Sequence, residues 1–186
     1  MIKLCFAGKM RSGKDTAAEI ISTVSVTEVI KLAQPLYDIM YFAQDRAGIP
    51  RHKDRKFLQW LGTEWGRSIS LSIWVNVLGQ DLLKILEKYK NETHISAIPE
   101  TYICTDARFD NELELLKEQG FKLVLVTAEE SVRIERGADV ELFNHESENG
   151  ITKLELFDQI IENNGTKEEF ELKVKSIYKE FKNETN

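Results

Sequence analysis

The chain has 186 residues, 42% hydrophobic and 30% charged, with a formal net charge of −6. That is enough apolar material for one packed domain, and the acidic balance argues against a broad grip on a nucleic acid polymer. No apolar stretch approaches the roughly 20 residues that span a bilayer, so no membrane attachment is expected.

Met1-Ile2-Lys3-Leu4 leads straight into an apolar run, so no signal peptide is expected. Ile2–Ala7 is short, apolar and bounded by Gly8, and reads as a buried parallel strand. Residues 15–23 read as a helix entered from a tight loop. Val26–Leu32, rich in β-branched residues, reads as a second strand. Pro35 opens a helix through residue 46, because proline is tolerated in a first helical turn. Residues 46–56 are basic and loop-like, and 57–67 and 72–90 carry helical spacing of apolar residues.

Tyr102–Thr105 reads as a third strand. An amphipathic helix over 109–119 follows, closed by Gly120 as its C-terminal cap. Lys122–Thr127 is a fourth strand, 129–150 a charged segment, and Phe157–Ile161 a fifth strand before the turn at 162–166. A charged amphipathic helix from Lys167 ends the chain, its last residues (KNETN) expected to fray. Strands alternating with helices predict a single α/β domain over 1–186, a three-layer sandwich around a mainly parallel five-stranded sheet. Cys5 and Cys104 fall in strands and read as reduced core thiols. His52, His94 and His145 are too scattered for a zinc site.

The strongest chemical signal is Gly8-Lys9-Met10-Arg11-Ser12-Gly13-Lys14-Asp15, the glycine–four residues–Gly-Lys core of a Walker A phosphate loop. It sits between a predicted strand and a predicted helix, as the motif requires. Glycines let main-chain N–H groups curl around a phosphate, and the helix start adds its own donors. Lys14 is placed to bridge β- and γ-phosphates. Asp15 stands where Ser or Thr normally touches Mg²⁺, so Asp15 or Thr16 is expected to reach the ion. A glycine-rich turn binding nothing would not need this lysine. A mononucleotide, held by a few local cations, suits the acidic balance.

The run Lys9–Thr16 resembles the variant loop of bacteriophage-type deoxynucleoside monophosphate kinases, in which Arg-Ser-Gly-Lys-Asp-Thr is typical. Further segments resemble that family in order: Gln59–Arg67 with Trp74-Val75, Thr105–Glu112, and His145–Glu148. Asn163-Asn164-Gly165-Thr166 resembles a turn shared with kinases such as dephospho-coenzyme A kinase. The resemblance implies a P-loop kinase using ATP and Mg²⁺ to phosphorylate a nucleoside monophosphate, deoxy favoured. It further implies an acceptor-binding helical segment over about 35–100 and a small mobile lid over about 129–150. A cytoplasmic setting, bacterial or in a phage-infected host, follows, with a monomer or homodimer both open.

On that resemblance, Gly8, Arg11, Ser12, Gly13, Lys14, Asp15, Thr16, Asn164 and Gly165 are assigned to ATP, and Asp15, Thr16 and Asp106 to the metal. Gln59, Thr63, Glu64, Arg67, Trp74 and Arg108 are assigned to the acceptor. Lys14, Arg11, Arg108, Arg133 and Arg136 are assigned to catalysis. Spacing alone leaves bland alternatives open. Arg67 could pair with Glu64, Asp106 with Arg108, and Arg133 and Arg136 with Glu129 and Glu135. His145 with Ser147 and Glu148 could close the lid or touch the nucleotide, or equally cap a helix before residues 151–157, and 163–166 could be a plain turn. Two other functions stay open: a kinase of another small phosphorylated metabolite, and a P-loop ATPase or nucleotide-binding regulator.

Overall fold

The protein is described from a computed structural model covering residues 1–88 and 98–185. His94 and the end of the helix expected over 72–90 lie outside the described residues, as does part of the 35–100 segment. Five strands form one all-parallel sheet: β1 Ile2–Ala7, β2 Thr27–Ile30, β3 Thr101–Cys104, β4 Lys122–Thr127 and β5 Gln159–Glu162, in the order β2-β3-β1-β4-β5. The register pairs Cys5 with Cys104 across β1 and β3, and Cys5 with Leu123 across β1 and β4.

Alternation along β1 divides the core. Leu4 and Phe6 point to one face, where they meet Ile21 of α1 (Lys14–Ser22) and Phe170, Val174 and Phe181 of α9 (Lys167–Thr185). Cys5 and Ala7 point to the other face, with Leu82 of α5 (Ile73–Glu87) and Leu113 and Leu116 of α6 (Asp110–Glu118). A strand covered on both faces must be apolar at every position, which is why β1 reads as a continuous run and not as an alternation. Both cysteines are buried free thiols.

Between β2 and β3 the chain forms α2 (Gln34–Arg46), α3 (Arg55–Gln59), a π-helical stretch (Trp60–Trp65), α4 (Gly66–Ile69) and then α5. The single helix expected over 57–67 is therefore three joined pieces with a wider middle turn. Between β4 and β5 lie α7 (Glu130–Glu135) and α8 (Glu146–Asn149). The last strand starts two residues later than expected, since Phe157 packs below the sheet with α6. Residues 182–185 are helical in α9 where fraying was expected. Among the described residues, no single helix is long and apolar enough to cross a membrane.

β1 feeds α1 on one face of the sheet, while its neighbour β3 feeds α6 on the other. The crevice above their carboxyl ends is the topological switch point, where ligands bind in open parallel sheets.

Candidate active site

The loop after β1 has its shape from three left-handed residues: Gly8 (φ 139°), Arg11 (φ 61°) and Gly13 (φ 115°). Two of these must be glycine for space as well. A Cβ on Gly8 would lie 2.2 Å from the Val126 carbonyl oxygen, and one on Gly13 2.3 Å from Asn163 Nδ2. Lys14 folds back under the loop and its Nζ donates to the Lys9 carbonyl at 2.8 Å. Burial, followed by the nearby Arg108 charge, lowers the Lys14 pKa to about 8. Ser12 Oγ is buried without a hydrogen-bond partner among the described residues. Arg11 is exposed at the loop's crest.

Asp15 is exposed at the start of α1, and its Oδ1 accepts from Thr105 Oγ1 at 2.8 Å, joining the loop to the end of β3. Thr16 follows, half-buried. Asp106 is already engaged: its two oxygens accept from Leu32 N–H and Ala33 N–H, each at 3.0 Å. That carboxylate ties β3 to the entrance of α2, and it has no ion pair with Arg108 among those described.

Arg108 turns instead toward Glu148. Its Nη1 donates to Glu148 Oε1 at 2.6 Å, and Glu148 Oε2 accepts from Met10 N–H of the loop, also at 2.6 Å. Gly8, Ser12, Arg108, Arg133 and Glu148 line one cavity of about 390 Å³ against the end of β4. Arg133 is buried under the Phe143 ring, 4.5 Å from its centroid, with a long 3.9 Å contact to Glu130. Arg136 Nη2 reaches Asn163 Oδ1 at 3.4 Å. Arg133 Nε and Arg136 Nη1 are buried with no partner among the described residues.

On the other side of the crevice, Gln59, Thr63, Glu64 and Arg67 follow one another along the α3–π–α4 run. Thr63 and Arg67 are buried and Glu64 is exposed. Arg67 pairs with Glu112 (3.0 Å), not with Glu64. It also donates to the Leu71 carbonyl (3.3 Å) and lies 3.4 Å from the Phe109 ring centroid. The second Glu112 oxygen accepts from Arg108 N–H (2.8 Å) and Phe109 N–H (3.2 Å). Burial raises the Glu112 pKa, and these hydrogen bonds and the Arg67 charge oppose the rise. Trp74 donates from Nε1 to the Gly62 carbonyl at 2.7 Å and covers Gly66, where a Cβ would meet Nε1 at 2.3 Å. It thus clamps α5 to the π-helical stretch, while Trp60 and Trp65 are 45% and 41% exposed.

The turn after β5 is tied to both flanks. Asn163 Nδ2 donates to the Ser12 carbonyl at 2.8 Å, and Asn164 Oδ1 accepts from Glu129 N–H at 2.8 Å. Gly165 precedes Thr166, which forms a reciprocal cap with Glu169 at the start of α9. His145 caps α8, its Nδ1 accepting from Ser147 N–H at 3.2 Å.

Residues 51–174 match the family model of deoxynucleotide monophosphate kinases. The chain belongs to that family. No curated protein matches the sequence. Among solved structures it is similar in fold to dephospho-CoA kinase from Campylobacter jejuni (TM-score 0.58, 15% identity, 99% of this chain and 98% of that one). Shikimate kinase from Aquifex aeolicus is similar too (TM-score 0.52, 16% identity, 99% and 98%). So is a sugar kinase from Janibacter sp. (TM-score 0.53, 14% identity, 93% and 91%). The deoxynucleotide monophosphate kinase family and the fold make this a P-loop kinase, whose phosphoryl donor is a nucleotide.

The site residues of this kinase suit that donor. A left-handed loop with a buried Lys14 and an unpartnered Ser12 hydroxyl is the donor set that polyphosphate oxygens need. Hard oxygens from Asp15, Thr16 and Thr105 suit Mg²⁺, which takes one or two protein oxygens and the rest from phosphates and water. Three residues of this architecture are not singled out by sequence pattern as site residues: Thr105, Glu112 and Asn163. Each acts through a partner far along the chain, from 45 to 151 positions away for Glu112–Arg67 and Asn163–Ser12. The signal available was their place in the Thr105–Glu112 and Asn163–Thr166 segments.

Proposed function

We propose that this kinase transfers the γ-phosphoryl group of ATP to a deoxynucleoside monophosphate, yielding ADP and a deoxynucleoside diphosphate. The match of residues 51–174 to deoxynucleotide monophosphate kinases carries the reading. Its physical support is the gathering of Lys14, Arg108, Arg133 and the loop amides about the crevice above β1 and β3.

Residues 8–16 cradle the donor phosphates, with Lys14 following charge as the group moves. Bound Mg²⁺ would neutralise charge on the phosphate oxygens, and Asp15 with Thr16 and Thr105 would hold it. Arg108 holds the transferring phosphoryl group in line with the acceptor phosphate, its main chain set by Glu112 and, behind it, Arg67. Gln59, Thr63 and the exposed faces of Trp60 and Trp65 present polar and stacking contacts to base and sugar. The 129–150 segment serves as the lid, with Arg133 and Arg136 stabilising transferred charge and excluding water. Asn164 and Gly165 lie toward the donor base. A monophosphate oxygen is already anionic, so no general base is assigned to His145. Catalysis is positioning plus charge neutralisation.

The test is ADP release from ATP·Mg²⁺ with a panel of deoxy- and ribonucleoside monophosphates, dephospho-coenzyme A and no acceptor. Strong stimulation by one or more deoxynucleotides is expected. Stimulation by dephospho-coenzyme A alone, or hydrolysis that no acceptor changes, would refute the assignment.

A further inference from the structure

Glu148 is a buried carboxylate in the crevice to which the proposed transfer gives no role. Its side chain is 5% exposed and both oxygens are spent on donors of a particular kind. One donor is a main-chain N–H of the phosphate loop, Met10, and the other is the Arg108 guanidinium, each at 2.6 Å. Loop amides and guanidinium groups are the donors that bind phosphoryl oxygens. Two carboxylate oxygens spanning them have the charge and bite of two oxygens of a phosphoryl group. The His145–Ser147 cap starts the short helix carrying Glu148 and so aims it at the loop. Glu148 also offsets part of the positive field that Arg108 adds at Lys14.

We propose that the Glu148 carboxylate is an internal stand-in for a phosphoryl group, which holds Met10 N–H and Arg108 until polyphosphate displaces it. The inference rests on residues 8–16 being the phosphate site. Both sets of oxygens cannot use the same two donors, and two anions that close in a buried crevice repel strongly. Glu148 therefore keeps these half-buried donors satisfied in the free protein and lowers affinity for anions in return. A carboxylate that merely supported Arg108 would act with the opposite sign, because its removal would loosen a phosphate ligand.

The experiment is isothermal titration of the full chain with tripolyphosphate, using wild type, Glu148→Gln, Glu148→Ala and Lys14→Ala. The isosteric Glu148→Gln decides the matter if Glu148→Ala melts early. Displacement predicts about tenfold tighter binding by Glu148→Gln, the size of one charge-assisted hydrogen bond that the ligand no longer has to break. Unchanged or weaker binding by that variant, with its melting midpoint intact, overturns the proposal and makes Glu148 a resident support of Arg108. Lys14→Ala should lose binding. If it binds as wild type does, the reading of residues 8–16 fails, a result distinguishable from failure of Glu148 alone.

Discussion

Two walls of the crevice, both rich in polar side chains, are held by different means. The phosphate loop, residues 8–16, owes its shape to its own backbone: three left-handed residues and a lysine that bonds back to a carbonyl five positions earlier. The helical wall, residues 55–87, owes its shape to partners elsewhere. Arg67 depends on Glu112, 45 positions away, and Trp74 reaches back across 12 positions to the Gly62 carbonyl. The loop is thus a local device that a short motif can specify. The wall is an assembly, in which a side chain that looks like a ligand in sequence is largely consumed in holding other groups.

The contrast between the walls is tested most severely at Lys14. Lys14→Ala should cut turnover by about a thousandfold or more, as loss of a main charge-stabilising group does in phosphoryl transfer. The fold should survive, since the glycine geometry is main-chain, so circular dichroism and the melting midpoint should be nearly those of wild type. Retained turnover would remove the loop from the reaction.

Arg67→Ala should do the reverse, damaging stability first. Removing one partner of a buried ion pair leaves the other charge stranded and costs about 3–5 kcal/mol. Denaturant melts should register that loss. Arg67→Lys should recover little of it, because a lysine cannot both pair with Glu112 and stack on Phe109 in the same way. A fully stable Arg67→Ala protein with a raised acceptor KM would instead make Arg67 a direct ligand.

A smaller effect belongs to the loop side. The Lys14 pKa is lowered to about 8, chiefly by burial. The charged form that binds phosphate is then lost from the free enzyme as pH rises through 8. Accordingly kcat/KM for ATP should fall about tenfold per pH unit above that point, while kcat, measured with phosphate bound, should fall later. The folded pKa lies below the unfolded one, so the unfolded chain holds more protons between about 8 and 10.5. Lys14 therefore contributes a rise in stability across that window, and Lys14→Met should abolish the contribution.

The mildest test is Trp74→Phe. It deletes the bond to the Gly62 carbonyl and should cost about 1 kcal/mol. A large change in acceptor KM with unchanged stability would return Trp74 to the base-binding role that its place in sequence suggested.

Strand order along the chain, the phosphate loop and the sites of both cysteines were legible because each depends on neighbours in sequence. β1 must be apolar throughout to sit between two helical layers, and Gly8 and Gly13 are demanded by positive φ. The helix expected over 57–67 was legible as helix, but not its π-helical middle, since apolar spacing does not distinguish a widened turn. A helix cap at His145 was legible, but it was expected ahead of residues 151–157, whereas the capped helix is α8 itself, Glu146–Asn149.

An α/β chain with a strand–loop–helix able to cradle phosphates is therefore specified locally, because those features are written in backbone preference and short-range pattern. How the charges pair is specified only by the folded chain. Arg67 goes to Glu112, Asp106 to the main chain of Leu32 and Ala33, Arg108 to Glu148, and Asn163 to Ser12. The physical reason is reach. A charged side chain spends its energy on whatever donor or acceptor the fold brings within about 3 Å, and for these residues that partner lies tens of positions away.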